Sequence, residues 1–320
     1  MFAAYAAELG LPDPLDGLRL GELPAPRPRP GWSRVTVRAA SLNHHDLWSL
    51  RGVGLSADRL PMILGTDAAG VDEDGNEVVV HPVVGLTGHG LAPGEARSIL
   101  TEKYQGTFAE QVTVPTGNLV PKPPGLSFAE AACLPTAWLT AYRMLFTQAR
   151  VRPGGSVLVQ GSGGGVATAA IALARAAGLR VYATGRDPRR RARALALGAT
   201  DALEPGAPLP HPVDAVLETV GAATWSHSIR SLRRGGTLVL SGATSGDRPT
   251  TTELTRIASH ELSVVGSTVA TADELRALLT FLTTTRTRPT LDHTLPLTQA
   301  PQGFTRMTEG THFGKIVFTL

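Results

Sequence analysis

The segment VLVQGSGGGVATAAIALARAAG (157–178) carries the densest chemical signal in the chain. An apolar strand runs into Gly161, Gly163, Gly164 and Gly165, and an Ala-rich helix opens at Val166 and Ala167. Glycines let a backbone turn tightly and come close to a pyrophosphate, and the N-terminus of the following helix offers it unpaired N–H groups and a positive dipole end. A glycine-rich turn alone says little. A strand before it and a helix after it make a dinucleotide site the expected reading.

The end of the next strand selects the nucleotide. A site for an unphosphorylated ribose places Asp or Glu there, roughly 20 residues past the glycines. RVYATGRDPRRR (180–191) instead ends its strand at Thr184 and Gly185 and follows with Arg186, Arg190 and Arg191, while Asp187 is the contrary sign. Open space with guanidinium groups suits a 2′-phosphate, so NADPH is the expected cofactor. Gly242 and Ala243, after TLVLSG, and Ser267, after LSVVG, fall where strands end. Ligands bind at such ends in open α/β sheets.

The elements that must hold these residues follow a change of period. Up to about residue 120 the chain is β-rich, with RVTVRAAS (34–41), NEVVVHP (76–82) and TFAEQVTVP (107–115) between Gly, Pro and Asp turns. LPAPRPRPG (23–31) is an extended connection, because proline cannot donate to a sheet ladder. Ser127 and Glu130 form a capping-box pattern at the head of a helix reaching Leu145. From 156 to about 285, strand and helix signals alternate, which predicts a parallel doubly wound sheet. LDHTLPL through GKIVFTL (291–320) is strand-like again, so the chain is expected to end by rejoining the first domain.

The 320 residues suggest two domains, and 42% hydrophobic with 18% charged residues is a globular composition. No run of eighteen or more apolar residues predicts a membrane span, and the first residues lack a secretory pattern, so a cytoplasmic protein is expected. The net charge is only +3, with Lys103, Lys122 and Lys315 the only lysines, so no nucleic-acid surface is expected. A single cysteine, Cys133, excludes an internal disulfide and a cysteine-rich zinc cage; its apolar surroundings predict a packing thiol.

The chain as a whole resembles the medium-chain dehydrogenase/reductases, specifically their quinone oxidoreductase and enoyl reductase branch. The blocks that carry the likeness are VRAASLNHHDLW (37–48), LGTDAAG (64–70), GTFAEQVTVP (106–115), AACLPTAWLTAY (131–142), the glycine turn, ALGATDAL (196–203) and HFGKIVFTL (312–320). The resemblance implies a Rossmann doubly wound sheet inserted into a GroES-like β-rich catalytic domain, with 1–122 and 287–320 in the catalytic domain and 123–286 in the inserted one. It also implies an active site in the cleft and a homodimer. The positions matching the zinc ligands of the alcohol dehydrogenases in that superfamily are Asn43, Thr66 and Ala137, none of them a competent ligand, and the structural-zinc segment at about 85–105 has no cysteine. A rival metal site from His44, His45, Asp67 and His81 matches no recognised ligand spacing.

Without zinc to polarise an oxygen, a conjugated acceptor is the easier substrate: hydride goes to the β-carbon of an enone, quinone or enoyl thioester, and hydrogen-bond donors stabilise the enolate. Asn43 and Asp46 match the family's Asn-x-x-Asp motif near the nicotinamide, with Asn43 able to donate an amide N–H and Asp46 orienting its neighbours. Thr140 falls where related reductases hydrogen-bond the carboxamide or the substrate. Many relatives have a tyrosine proton donor about eleven residues after the asparagine; here that position is Gly54, and the nearby aromatic position is Trp48. His45, at the relay position of the zinc enzymes, substitutes as donor unless it is one of a structural pair with His44, in which case water suffices; Tyr104 is a further candidate. Two other functions stay open: an NADPH-binding sensor or scaffold with little turnover, and a zinc alcohol dehydrogenase, against which the absent ligands count.

Overall fold

The computed structural model describes residues 1–27, 29–85 and 97–320, so part of the Pro-rich connection and of the 85–105 segment lies outside the described residues. The described chain forms two compact units, one of residues 1–139, 270–284 and 289–320, the other of 140–269 and 285–288.

In the first unit, alternation fixes the central strand. Along Trp32–Ser41, Ser33, Val35 and Val37 turn inward while Arg34, Thr36 and Arg38 face out, the period of two that a half-buried strand requires. Asp67–Asp72 pairs with it antiparallel on one edge, and Gln111–Pro115 and Lys315–Thr319 share the other. The sheet extends through Glu77–Val80 to Leu119–Pro121 at one side and through Lys315–Thr319 to Leu291–Pro296 at the other. The last strand therefore does return to the first unit, pairing Val317 with Ser41. Phe108 anchors the core, meeting Phe318 edge-on at 5.1 Å and Phe304 at 6.2 Å.

The second unit is the doubly wound sheet. Its strands are all parallel, in the spatial order Asp201–Leu203, Arg180–Thr184, Ser156–Val159, Val213–Glu218, Leu232–Leu240, Ser263–Gly266. Strand order reverses between Ser156–Val159 and Val213–Glu218, the switch point at which such sheets bind ligands. The helix Gly165–Ala176 leaves Ser156–Val159 directly, and its buried residues include Ala167, Ala169, Ala170, Ala172 and Ala174, small enough for a close approach. The second helix, Pro188–Leu197, begins with Asp187 as its cap and Pro188 in its first turn, and ends at Gly198 in the left-handed region, as cap rules require.

The helix expected from Ser127 to Leu145 is interrupted. Its capping box forms, Glu130 N donating to Ser127 Oγ at 3.2 Å and Ser127 N to Glu130 Oε2 at 2.8 Å. Phe128–Ala132 then gives way to a π-helical turn at Leu134–Trp138, an α turn at Leu139–Tyr142 and a second π segment at Arg143–Gln148. Pro135 has no N–H for the i−4 bond, so the ladder shifts register there. Among the described residues no helix is long and apolar enough to cross a membrane.

Candidate active site

The sequence-predicted residues fall into two clusters, one in each unit. In the first, Asn43 ends the central sheet strand's exit and caps the helix His44–Leu50. Asp46 closes that cap: its Oδ2 accepts Asn43 N at 2.8 Å and its Oδ1 accepts Gly65 N at 2.9 Å. It is fully buried, and burial pushes its carboxyl up to about 7 against the two backbone donors that favour the charged form. Asp46 thus ties the strand-to-helix corner to Gly65.

Asn43 departs from expectation. Its Nδ2 lies 2.8 Å from Asp67 Oδ2, 3.1 Å from Thr66 Oγ1 and 3.3 Å from Ser41 O, so both amide hydrogens are engaged inside the protein. Its Oδ1 accepts from Lys315 Nζ at 2.6 Å. Donation of an amide N–H to substrate or ribose is therefore not the geometry present; Asn43 is a structural joint. The cation that organises the joint is Lys315, to which the sequence pointed only as one of three lysines and as part of HFGKIVFTL. Its buried ammonium also donates to Leu42 O at 2.8 Å and pairs with Asp67 Oδ2 at 3.4 Å, while Asp67 takes a further hydrogen bond from Ser41 Oγ at 2.7 Å. A buried pair of this kind contributes little net stability when intact, but losing one partner costs about 3–5 kcal/mol because the other charge is stranded. Among the described residues, Asp67 Oδ1 is buried without a hydrogen-bond partner. A lysine placed inside an otherwise apolar strand, KIVF, was the available signal.

His45, one residue before Asp46 on the same helix, is partly buried and its Nε2 is 2.9 Å from Thr101 Oγ1. Burial lowers its pKa, opposed by the charges of Glu102 and Asp67. The positions likened to zinc ligands hold a hydrogen-bonded polar group instead: Asn43 reaches Thr66, and Thr66 Oγ1 is 3.0 Å from Thr136 Oγ1, the neighbour of Ala137. His81 is spent on Ala270 O at 2.8 Å, away from the rival metal set. Among the described residues no group of three or more His, Cys, Asp or Glu could hold a metal ion. Cys133 is buried, its thiol pushed up to about 12 by desolvation, with Sγ against Ala129 O.

The second cluster lines the end of the parallel sheet. Gly161 has φ +91, a conformation that favours glycine, and its N–H is held by Thr184 Oγ1 at 3.2 Å; Thr184 in turn donates to Gln160 Oε1 at 2.7 Å. Thr184 therefore pins the turn from the neighbouring strand, a role the sequence did not reveal. Gly164 caps the helix Gly165–Ala176 without any side-chain cap, and a Cβ built on Gly164 meets nothing within 4 Å. An uncapped helix N-terminus facing open space, with Gly165 and Val166 in its first turn, is the cradle a pyrophosphate fills. The residues present fit a dinucleotide.

Arg190 lies across the same turn, its Cδ, Nε and Cζ within 3.0–3.3 Å of where a Cβ on Gly163 would stand. Arg186 is exposed at the start of the same loop. Arg191 is differently employed, donating to Gly185 O at 2.8 Å and pairing with Glu204 at 3.2 Å. Asp187, the contrary sign in the sequence, accepts Arg189 N at 2.7 Å as a helix cap. At the ends of the other strands, a Cβ on Gly242 would stand 3.2 Å from Thr219 O, and one on Gly221 would stand 2.8 Å from Ala243 Cα, so the two strand ends are in contact. Ser267 N donates to Leu240 O at 2.8 Å, and its buried Oγ has no hydrogen-bond partner among the described residues. Thr140 is buried in the α turn Leu139–Tyr142, between the two π segments.

A parallel sheet carrying a glycine turn at its switch point, with a β-rich unit closed by both chain ends, defines a medium-chain dehydrogenase/reductase, and the chain belongs to that superfamily of oxidoreductases. Residues 29–124 match the alcohol dehydrogenase GroES-like domain and residues 165–284 the zinc-binding dehydrogenase family. Among solved structures, an NAD-dependent alcohol dehydrogenase is 34% identical with a TM-score of 0.91, each chain covered completely. A zinc-type alcohol dehydrogenase-like protein of Schizosaccharomyces pombe is 29% identical over 91% of both chains. The spectinabilin polyketide synthase system protein NorB of Streptomyces orinoci is 32% identical over 91% of this chain, which corresponds to 13% of NorB's own length.

Proposed function

We propose that this protein is an NADPH-dependent reductase that delivers hydride to an activated C=C bond or a quinone without a metal ion. The observation that carries the metal-free part is the polar joint of Asn43, Thr66, Asp67 and Lys315: an ammonium and hydrogen bonds occupy its interior, and its carboxylate, Asp67, is held by Lys315, Asn43 and Ser41, whereas a metal centre needs a set of thiolate, imidazole or carboxylate ligands. The similarity to an NAD-dependent alcohol dehydrogenase and to a zinc-type alcohol dehydrogenase-like protein supports the nicotinamide part of this reading.

When bound, NADPH would supply a hydride from C4 of its nicotinamide. Gly161 and the helix N-terminus at Gly164, Gly165 and Val166 would hold its pyrophosphate. Arg190 across the turn, with Arg186 beside it, favours a 2′-phosphate, and the end of the second strand holds Gly185 where a ribose-binding carboxylate would stand. Gly242, Ala243, Ser267 and Thr140 are the positions assigned to the rest of the cofactor. Hydride addition at the β-carbon of a conjugated carbonyl moves the π pair toward oxygen, and the resulting enolate takes a proton from His45 or water, so that one acceptor, one NADPH and one proton give the saturated product and NADP+. Asp46, Lys315 and Asp67 hold the corner that presents His45.

Changing Arg186 and Arg190 together to alanine tests the cofactor assignment. Each charge-assisted hydrogen bond contributes about 1.5–3 kcal/mol, so NADPH affinity should fall by about 10-fold or more while NADH affinity stays within about twofold, as measured by fluorescence titration. Equal affinities for the two nucleotides in the unchanged protein would refute it. The sheet edge at Ser263–Gly266, with Val264 exposed, supports a homodimer built on that strand.

A further inference from the structure

Thr101 is the one buried β-branched residue whose backbone stands in the left-handed region among the described residues. It has φ 78 and no exposed surface. Such a conformation is strained for a residue with a branched side chain, and it persists only where its surroundings impose it. The surroundings here are specific. Thr101 N donates to Tyr104 O at 2.9 Å, Leu100 N to Pro82 O at 2.9 Å, and Glu102 Oε2 accepts Ile99 N at 3.2 Å and Ser98 Oγ at 3.3 Å.

The strained turn delivers one atom to one place. Thr101 Oγ1 is 2.9 Å from His45 Nε2 and 3.3 Å from Ser49 Oγ. His45 and Ser49 are four residues apart on the helix His44–Leu50, so they share a face, and the hydroxyl bridges them. The same turn also occupies the ground beside Gly54. A Cβ on Gly54 would lie 2.9 Å from Glu102 Oε1, and Gly54 has φ +78, a backbone conformation that disfavours a side chain at position 54.

We propose that Thr101 is a positioning residue for proton transfer, fixing the His45 ring in one orientation and one tautomer. Its Oγ1 accepts the Nε2–H of His45 and its own O–H is directed at Ser49 Oγ. Nδ1 is then the ring nitrogen that carries the mobile proton. The protonated ring gives the Nδ1 proton to the enolate, keeps its electron pair and its Nε2–H, and regains a proton from water. This rests on the reductase reading for the acceptor, but the hold of Thr101 on His45 does not.

The test compares Thr101→Val, which keeps shape and branching and removes the hydroxyl, with Thr101→Ser, which keeps the hydroxyl. In long-range 1H–15N spectra of 15N-histidine protein, with His45 assigned from its loss in His45→Ala, the unchanged protein and Thr101→Ser should show the Nε2–H tautomer. Thr101→Val should show a mixture. With NADPH and an enone, kcat of Thr101→Val should fall by about 10-fold with KM within about twofold, Thr101→Ser should stay within about twofold, and Thr101→Val should add no further loss in a His45→Ala background. Should valine prevent folding, Thr101→Ala serves in the same comparison. An unchanged tautomer in the hydroxyl-free variant, equal losses in the valine and serine variants, or a loss that persists without His45 would overturn the proposal. If the unchanged protein reduces no acceptor yet shows the Thr101-dependent tautomer, the reductase reading fails and the positioning role stands.

Discussion

Asp46 is a carboxyl that water never reaches, and its energetics should be visible in solution. Burial raises it from the ordinary carboxylate range to about 7 in the folded chain, so the folded state binds a proton that the unfolded state has already released. Its contribution to stability is therefore fully present below the unfolded value and is lost as pH rises through about 7. Urea unfolding at a series of pH values should show the stability of the unchanged protein, measured against Asp46→Asn, falling between about pH 4 and pH 7 and flat above. A difference that grows with pH would mean that the Asn43 and Gly65 N–H donors and the Lys315 charge outweigh burial and hold Asp46 ionised in the folded chain. Of the residues around it, Asn43, His45 and Asp46 were singled out through the family resemblance of one short stretch, LNHHDLW, but the internal hydrogen bonds that engage Asn43 were not legible there. Lys315 and Thr101 were not. Their partners lie 272 and 56 residues away, and no local pattern encodes which side chain a fold will bring to an asparagine or a histidine.

At the scale of elements, the loop and helix after the second parallel strand separate a cap from a ligand. Asp187 bonds Arg189 N as the N-cap of Pro188–Leu197. Asp187→Ala should cost about 1 kcal/mol of stability by chemical denaturation and leave the NADPH-over-NADH preference unchanged; a weakened NADH site would mean that Asp187 reads the ribose. The strands and helices of this unit were largely legible, because apolar runs such as SVLV and Ala-rich or capped helices announce themselves locally. Asp201–Leu203 was not, being three partly exposed residues without a pattern, and neither was the alternation of α and π turns after Phe128. Helical periodicity covers both forms, and only the register shift at Pro135 distinguishes them.

For the whole molecule, the parallel sheet ends in a strand, Ser263–Gly266, that among the described residues has a neighbour on one side only and leaves Val264 exposed. An open edge of that kind pairs with another unless something blunts it. Light scattering should give about twice the chain mass of 33.5 kDa, and Val264→Lys should shift the protein toward the single chain; a monomer at micromolar concentration would remove the homodimer. The change of period near residue 125 and after 290 pointed to a β-rich unit and a parallel sheet, but residues 123–139 and 270–284, expected in the inserted domain, belong to the first unit, because a period reports the element and not the unit it packs in. The chemistry of the molecule is tested most directly by isotope transfer. After exhaustive chelation, the protein would be given NADPH deuterated at C4, in each of its two stereochemical forms, with a panel of enones, quinones and enoyl thioesters, and the products read by mass spectrometry and NMR. The account predicts turnover undiminished by chelation, with deuterium from one of the two forms at the β-carbon of a saturated carbonyl product. Turnover only after zinc is restored, or deuterium on a carbinol carbon, would contradict it.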